Sequence, residues 1–118
     1  MKKVMLIMRR APYGTVYTAE GLRSVMGLAV FELDVALAFV GDGVYTIMRN
    51  QDASGLDMKP LGEAFSGLSD FGVQHYYVHA PSLAERGLTT EDLVVPAEVL
   101  DDAGLQRLLA EQDAVLPF

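Results

Sequence analysis

The apolar positions fall into short continuous runs separated by longer stretches in which they recur every three or four residues. Val4 to Met8 is an unbroken apolar run, the pattern of a strand buried on both faces. A loop punctuated by Pro12 and Gly14 follows, and Thr15 is placed to cap the next helix. From Val16 to Phe31, Ala19, Leu22, Met26, Ala29 and Val30 keep helical spacing. Gly21 and Gly27 either weaken that helix or let it lie close on a sheet. Val35 to Val40 reads as a second strand, closed by Gly41-Asp42-Gly43, with a short helix expected over Val44 to Arg49. Asn50 to Lys59 reads as a surface loop. Pro60 suits a first helical turn, after which Leu61, Ala64, Phe65, Leu68 and Phe71 form the clearest amphipathic stripe in the chain. Gly72 sits where a left-handed stop is expected. Val73 to Val78 is a third strand, Leu83 to Arg86 one helical turn ended by Gly87, and Leu93-Val94-Val95 a short fourth strand closed by Pro96. Asp101 or Asp102 caps a helix that turns Leu105, Leu108 and Leu109 inward, and Ala114 to Leu116 is a last strand.

Strands alternating with helices predict a mostly parallel, five-stranded sheet covered on both faces: one α/β domain over residues 1–118, with three α/β/α layers and right-handed crossovers. In a parallel sheet the loops after the strands share one edge, where ligands and reactive groups sit by default. Those loops carry Pro12, Tyr13 and Gly14, then Asp42, Gly43 and Tyr45, then His79, Ser82 and Arg86, with Pro96 to Leu100 after the fourth strand. These are the candidates for a cleft or an interface.

Composition removes several chemistries from that edge. The 118 residues include no cysteine, so a disulfide, a thiolate metal site and a thiol nucleophile are excluded. A net charge of −7, with basic residues adjacent only at Lys2-Lys3 and Arg9-Arg10, argues against direct nucleic-acid binding. No apolar run approaches the roughly 20 residues that cross a bilayer, and the start lacks a secretory leader, so a cytoplasmic protein is expected. His75 and His79 lie four apart on a strand, about 13 Å at about 3.3 Å per residue, too far to share one ion. No metal and no cofactor is expected. Gly41-Asp42-Gly43 lacks the third glycine of a dinucleotide loop, because Thr46 stands there, and it follows the second strand. Asp42 reads as a cap for the following helix. Ser82 lacks a nucleophile elbow and reads as a capping serine. Arg86 is free to hold an anion, Glu85 or a partner chain. The acidic pair and strand-end Asp of a phosphoacceptor domain are also missing, their places taken by Arg9-Arg10 and His79.

Four stretches in order, RRAPYGT, GDGVYTIMRNQD, SLAERGL and EQDAVLPF, make the chain similar to the DsrE/DsrF-like sulfur-relay family, on its DsrF/TusC branch. That resemblance implies a flavodoxin-like α/β subunit of the DsrEFH type. It implies assembly with DsrE/TusD-like and DsrH/TusB-like subunits, or with further copies of itself. It also implies sulfur carried as a persulfide on the DsrE-like subunit's cysteine and passed to a DsrC/TusE-like acceptor, for sulfur oxidation or tRNA thiolation. Counting back from Arg86-Gly87, the family's reactive cysteine falls at His79. The expectation is therefore a subunit with no catalytic residue of its own. The alternative is a homo-oligomeric small-molecule binder or enzyme using the strand-end cleft, with His79, Asp42 and Tyr13 as its candidates.

Overall fold

A computed structural model describes residues 2–14, 16–31, 33–49, 61–73 and 75–118, with only the backbone of Leu61 and Gly62. Thr15, the 50–59 loop and Pro60 lie outside the described residues. The elements are β1 (Lys3–Met8), α1 (Tyr17–Ala29), β2 (Asp34–Phe39), a 3-10 helix (Gly41–Ile47), α2 (Leu61–Ser66) running on into a 3-10 helix (Gly67–Phe71), β3 (His75–His79), α3 (Ala80–Glu85), a 3-10 turn (Thr90–Asp92), β4 (Glu98–Leu100), α4 (Asp102–Ala110) and β5 (Ala114–Pro117). The strands form one five-stranded sheet in the order β4-β3-β2-β1-β5, and every pairing is parallel.

Strand order fixes which face each crossover covers. The chain steps from β1 to β4 in one direction, so right-handed connections place their helices on one face. The return from β4 to β5 runs the other way and places α4 alone on the opposite face. The packing agrees. Leu6, Met8, Leu37, Phe39 and Val78 are buried beneath Val25 of α1, Val44 and Ile47, Phe65 of α2 and Leu83 of α3. On the other face Met5, Ala36 and Ala38 meet Leu105, Leu108 and Leu109 of α4, the three leucines assigned to the inward side. Two alanines on β2 leave room for α4, yet no α4 residue is fully buried. Phe39 and Phe65 meet edge to face, with centroids 5.8 Å apart. Gly72 adopts φ +93°, the left-handed stop expected of it.

The fourth strand is not where its apolar run suggested. Leu93 and Val95 are buried, but the segment is held by the 41–49 region. Leu93 bridges Met48 antiparallel, and Val94 N–H donates to Ile47 O at 2.7 Å. Pairing with β3 begins only after Pro96, at Glu98–Leu100, a three-residue edge strand with Glu98 and Val99 exposed. An apolar triplet reports burial, and burial here comes from side chains filling the large core rather than from a ladder. The strand-end loop assigned to Pro96–Leu100 therefore moves to Asp101 and Asp102. The helix assigned to Val44–Arg49 starts earlier, at Gly41, and ends at Ile47.

Candidate functional site

At the ends of β2 and β3 the chain turns sharply enough to bring four elements together. Gly43 lies against the end of β1 so closely that a Cβ there would sit inside the Met8 carbonyl. Gly41 takes φ +54°, a left-handed conformation that favours glycine. Its N–H points across to α3 and donates to Ser82 Oγ at 2.8 Å. Ser82 is buried in the first turn of α3 and is not its cap; the N-cap position is His79.

His79 is engaged through both ring nitrogens. Nδ1 lies 2.6 Å from Ser82 Oγ, and Nε2 lies 2.6 Å from Asp102 Oδ1, which opens α4. The protons follow from the partners. An ionised carboxylate only accepts, so Nε2 carries the hydrogen and donates to Asp102. In the neutral ring Nδ1 is then the acceptor, and the Ser82 hydroxyl donates to it. Gly41 N–H donates to the hydroxyl oxygen. The result is a directed line, Gly41 to Ser82 to His79 to Asp102, spanning the ends of β2, β3 and β4. Asp101 caps α4 beside it, accepting from Gly104 N–H at 2.7 Å.

Arg86 closes the other side. Its Nη2 reaches Asp42 Oδ1 at 3.0 Å, its Nη1 donates to the Ser82 carbonyl at 3.0 Å, and its guanidinium lies 5.9 Å from the Tyr45 ring centroid. Glu85 is a second carboxylate at 3.5 Å. Asp42 therefore pairs with Arg86 from within the 3-10 helix instead of capping it. Pro12 is buried, Tyr13 half-buried and Gly14 exposed with φ +93° on the loop after β1. Buried Thr18 of α1 holds that loop by donating to Ala11 O at 3.1 Å, and Arg10 stacks over Tyr17 at 4.7 Å.

Of the residues expected at the strand-end edge, the structure joins Asp42, Tyr45, His79, Ser82 and Arg86 into one contact network, while Gly43 packs on the Met8 carbonyl. Pro12, Tyr13 and Gly14 occupy the adjacent loop. Asp102 is not among the residues expected at the edge, because a strand ending at Pro96 puts the edge loop at Pro96 to Leu100 and leaves Asp102 as a possible helix cap. Its signal is the Asp101-Asp102 pair before an amphipathic run, a pattern that by itself implies only a cap. Chemically the line polarises a hydroxyl. Ser82 O–H to His79 and His79 N–H to Asp102 run in the order that activates a serine, while Ser82 Oγ is buried and also receives Gly41 N–H. Among the described residues no group of three or more acidic or histidine side chains has metal-holding geometry. No described helix is long and apolar enough to cross a membrane.

Comparison with known proteins adds a second line. Residues 2–118 match the DsrE/DsrF-like family. The chain is 40% identical to the intracellular sulfur oxidation protein DsrF of Allochromatium vinosum, over 100% of this chain and 97% of that protein. It is 35% identical to a TusC homolog of Pseudomonas aeruginosa, over 98% and 97%, and 32% identical to protein TusC of Shigella flexneri, over the whole of both. Among solved structures, the ychN protein of E. coli superposes over the full length of both chains with a TM-score of 0.87 at 24% identity. That likeness speaks for the fold alone.

Proposed function

The chain belongs to the DsrE/DsrF-like family, and from that premise we propose that it is a non-catalytic DsrF/TusC-like subunit of a cytoplasmic sulfur-relay complex. Its part is to hold a cysteine-bearing DsrE/TusD-like partner, together with a DsrH/TusB-like subunit, where a DsrC/TusE-like acceptor reaches the persulfide. The observation that carries this reading is the absence of any cysteine. Persulfide transfer proceeds by thiolate attack on a bound sulfur, and an imidazole does not replace that thiolate. At His79, where the family's cysteine is expected, the side chain serves instead to brace α3 and α4. Exposed apolar side chains at both ends of α1, Val16, Val30 and Phe31, supply surface for a partner to cover.

Co-expression with the cysteine-bearing partner tests the proposal. The two chains should co-elute as a defined oligomer, and sulfur loading, read by a persulfide gel shift, should track the partner's cysteine and survive His79→Ala in this chain. A lone chain that remains monomeric beside that partner, or that itself carries transferable sulfur, would overturn it. Gene neighbourhood separates a sulfur-oxidation role from tRNA thiolation.

The Ser82–His79–Asp102 line favours a second reading, a homo-oligomeric enzyme using the strand-end cleft. Labelling of Ser82 by a fluorophosphonate, lost in His79→Ala with folding intact, would favour it over the first. An unlabelled Ser82 would remove its support.

A further inference from the structure

Where β1 ends and α1 begins, the surface runs against the charge of the whole chain. The net charge is −7, yet Arg9 and Arg10 stand exposed next to each other in sequence. Among the described residues, arginine–carboxylate pairs form at Arg23 and Arg86 but at neither of these two. Glu20, the carboxylate in the first turn of α1, turns to Arg23 at 3.5 Å. Arg10 lies over the Tyr17 ring, its guanidinium carbon 4.7 Å from the centroid. A guanidinium held over a ring keeps N–H groups at its edges for a carboxylate. Beside it Val16 and Tyr17 are 69% and 46% exposed. We infer that this corner docks an acidic polypeptide segment that seats an apolar side chain against Val16 and Tyr17.

The corner is held in place before a partner arrives. Buried Thr18 donates to Ala11 O at 3.1 Å, and Arg9 N–H donates to Phe118 O at 3.0 Å. Pro12 is buried between these ties. A loop already fixed loses little freedom on binding. Charge selects the partner's sign: an acidic chain repels other acidic surfaces, so such a partner is steered to the place where cations lack counter-charges. Number selects its class. Two guanidinium groups match one or two carboxylates. They are too few to hold a nucleic acid, whose affinity is built from many phosphate contacts. They are also too few to hold an anionic membrane, where stable binding needs a larger basic cluster. The inference gives the α1 N-terminal end a partner chemistry without resting on the sulfur-relay reading, because a segment of that composition on any protein fits it.

Full-length chain, labelled for NMR, is titrated with the capped peptide Glu-Glu-Leu-Phe-Glu-Glu. Saturable shifts of the Val16 amide and the Arg10 Nε–H are expected, with a dissociation constant near the millimolar range. Arg10→Glu should weaken binding at least about fivefold, and Val16→Ser about threefold. Both side chains are exposed, so the fold is kept, which unchanged thermal midpoints check. Arg107→Glu makes the same change of net charge on α4, across the sheet, and should alter binding by less than about twofold. Peptides with Gly-Ser in place of Leu-Phe, or Lys in place of Glu, should each bind at least about fivefold more weakly. No saturable shift, or equal losses in Arg10→Glu and Arg107→Glu, would overturn the proposal. Tighter binding to a single-stranded oligothymidylate, or to vesicles of phosphatidylcholine and phosphatidylserine, would also overturn it. So would self-association of the free chain that Arg10→Glu abolishes, because the occupant would then be a second copy. Co-elution with the DsrE/TusD-like subunit is scored separately in Arg10→Glu. If it survives, the subunit reading stands whichever way the peptide result falls.

Discussion

Gly43 and Gly27 differ in what lies beyond their α-carbons. A methyl at Gly43 would occupy the space of the Met8 carbonyl, and backbone cannot rotate away as a side chain can. Gly43→Ala should therefore cost at least about 3 kcal/mol in a denaturant melt. Gly27 has nothing within 4 Å and lies within α1, so Gly27→Ala should stabilise by up to about 1 kcal/mol. The sequence offered two readings for the helix glycines, weakness or close packing. Gly21, against Met8 and Phe118, is the close-packing case, and Gly27 is the other. Tyr76 gives a residue-level pH test. Its hydroxyl donates to Phe65 O at 3.0 Å within the core, and burial raises its pKa above the ordinary value. The folded state thus keeps a proton that the unfolded chain releases from about pH 10, so stability should fall as pH rises through that range. Tyr76→Phe leaves the Phe65 carbonyl unpaired and should cost about 1–2 kcal/mol at neutral pH. It should also flatten the alkaline loss, measured as midpoint against pH.

Among the elements, α4 is the least embedded. Its leucines are only partly buried, and it depends on its N-terminus for definition. Asp101→Ala should cost about 1 kcal/mol and fray its first turn. Asp102 is 78% exposed in its side chain, so its bond to His79 adds under about 1 kcal/mol, despite its length of 2.6 Å. Ser82 is different, because it serves Gly41 and His79 from a buried position. Ser82→Ala should cost about 1–3 kcal/mol and speed exchange of the Gly41 amide. If that amide exchanges no faster in the variant, the line of bonds does not hold the turn. Element type was legible outside the 93–100 stretch, since period two, period three to four and unbroken runs report how a segment is buried. The position of β4 was not. Glu98–Leu100 pairs through backbone groups that every residue carries, while the neighbouring Leu93-Val94-Val95 held the apolar signal for another reason.

Among the described residues, the helices of the three crossovers from β1 to β4 crowd one face of the sheet, and α4 alone covers the other. Val30 and Phe31 end α1 with 72% and 71% of their surface exposed, and Phe71, at the end of a helix that touches α1, is 51% exposed. If partners cover these side chains, Phe31→Glu should weaken co-elution with the DsrE/TusD-like subunit. The midpoint of the isolated chain should move by no more than about 0.5 kcal/mol in equivalent stability. Unchanged assembly in that variant would place the interface elsewhere.

The amino-acid order alone determined that strands alternate with helices, that the sheet is parallel, that its strand ends share an edge, and that no thiol chemistry arises from this chain. Each of these is local: a spacing, a breaker or a missing atom type. Strand order, the unequal faces and the 23-residue span that joins His79 to Asp102 belong to the tertiary structure. They depend on which strands pair and in what register. That choice is made by the packing of the whole core at once, and no stretch of residues records it by itself.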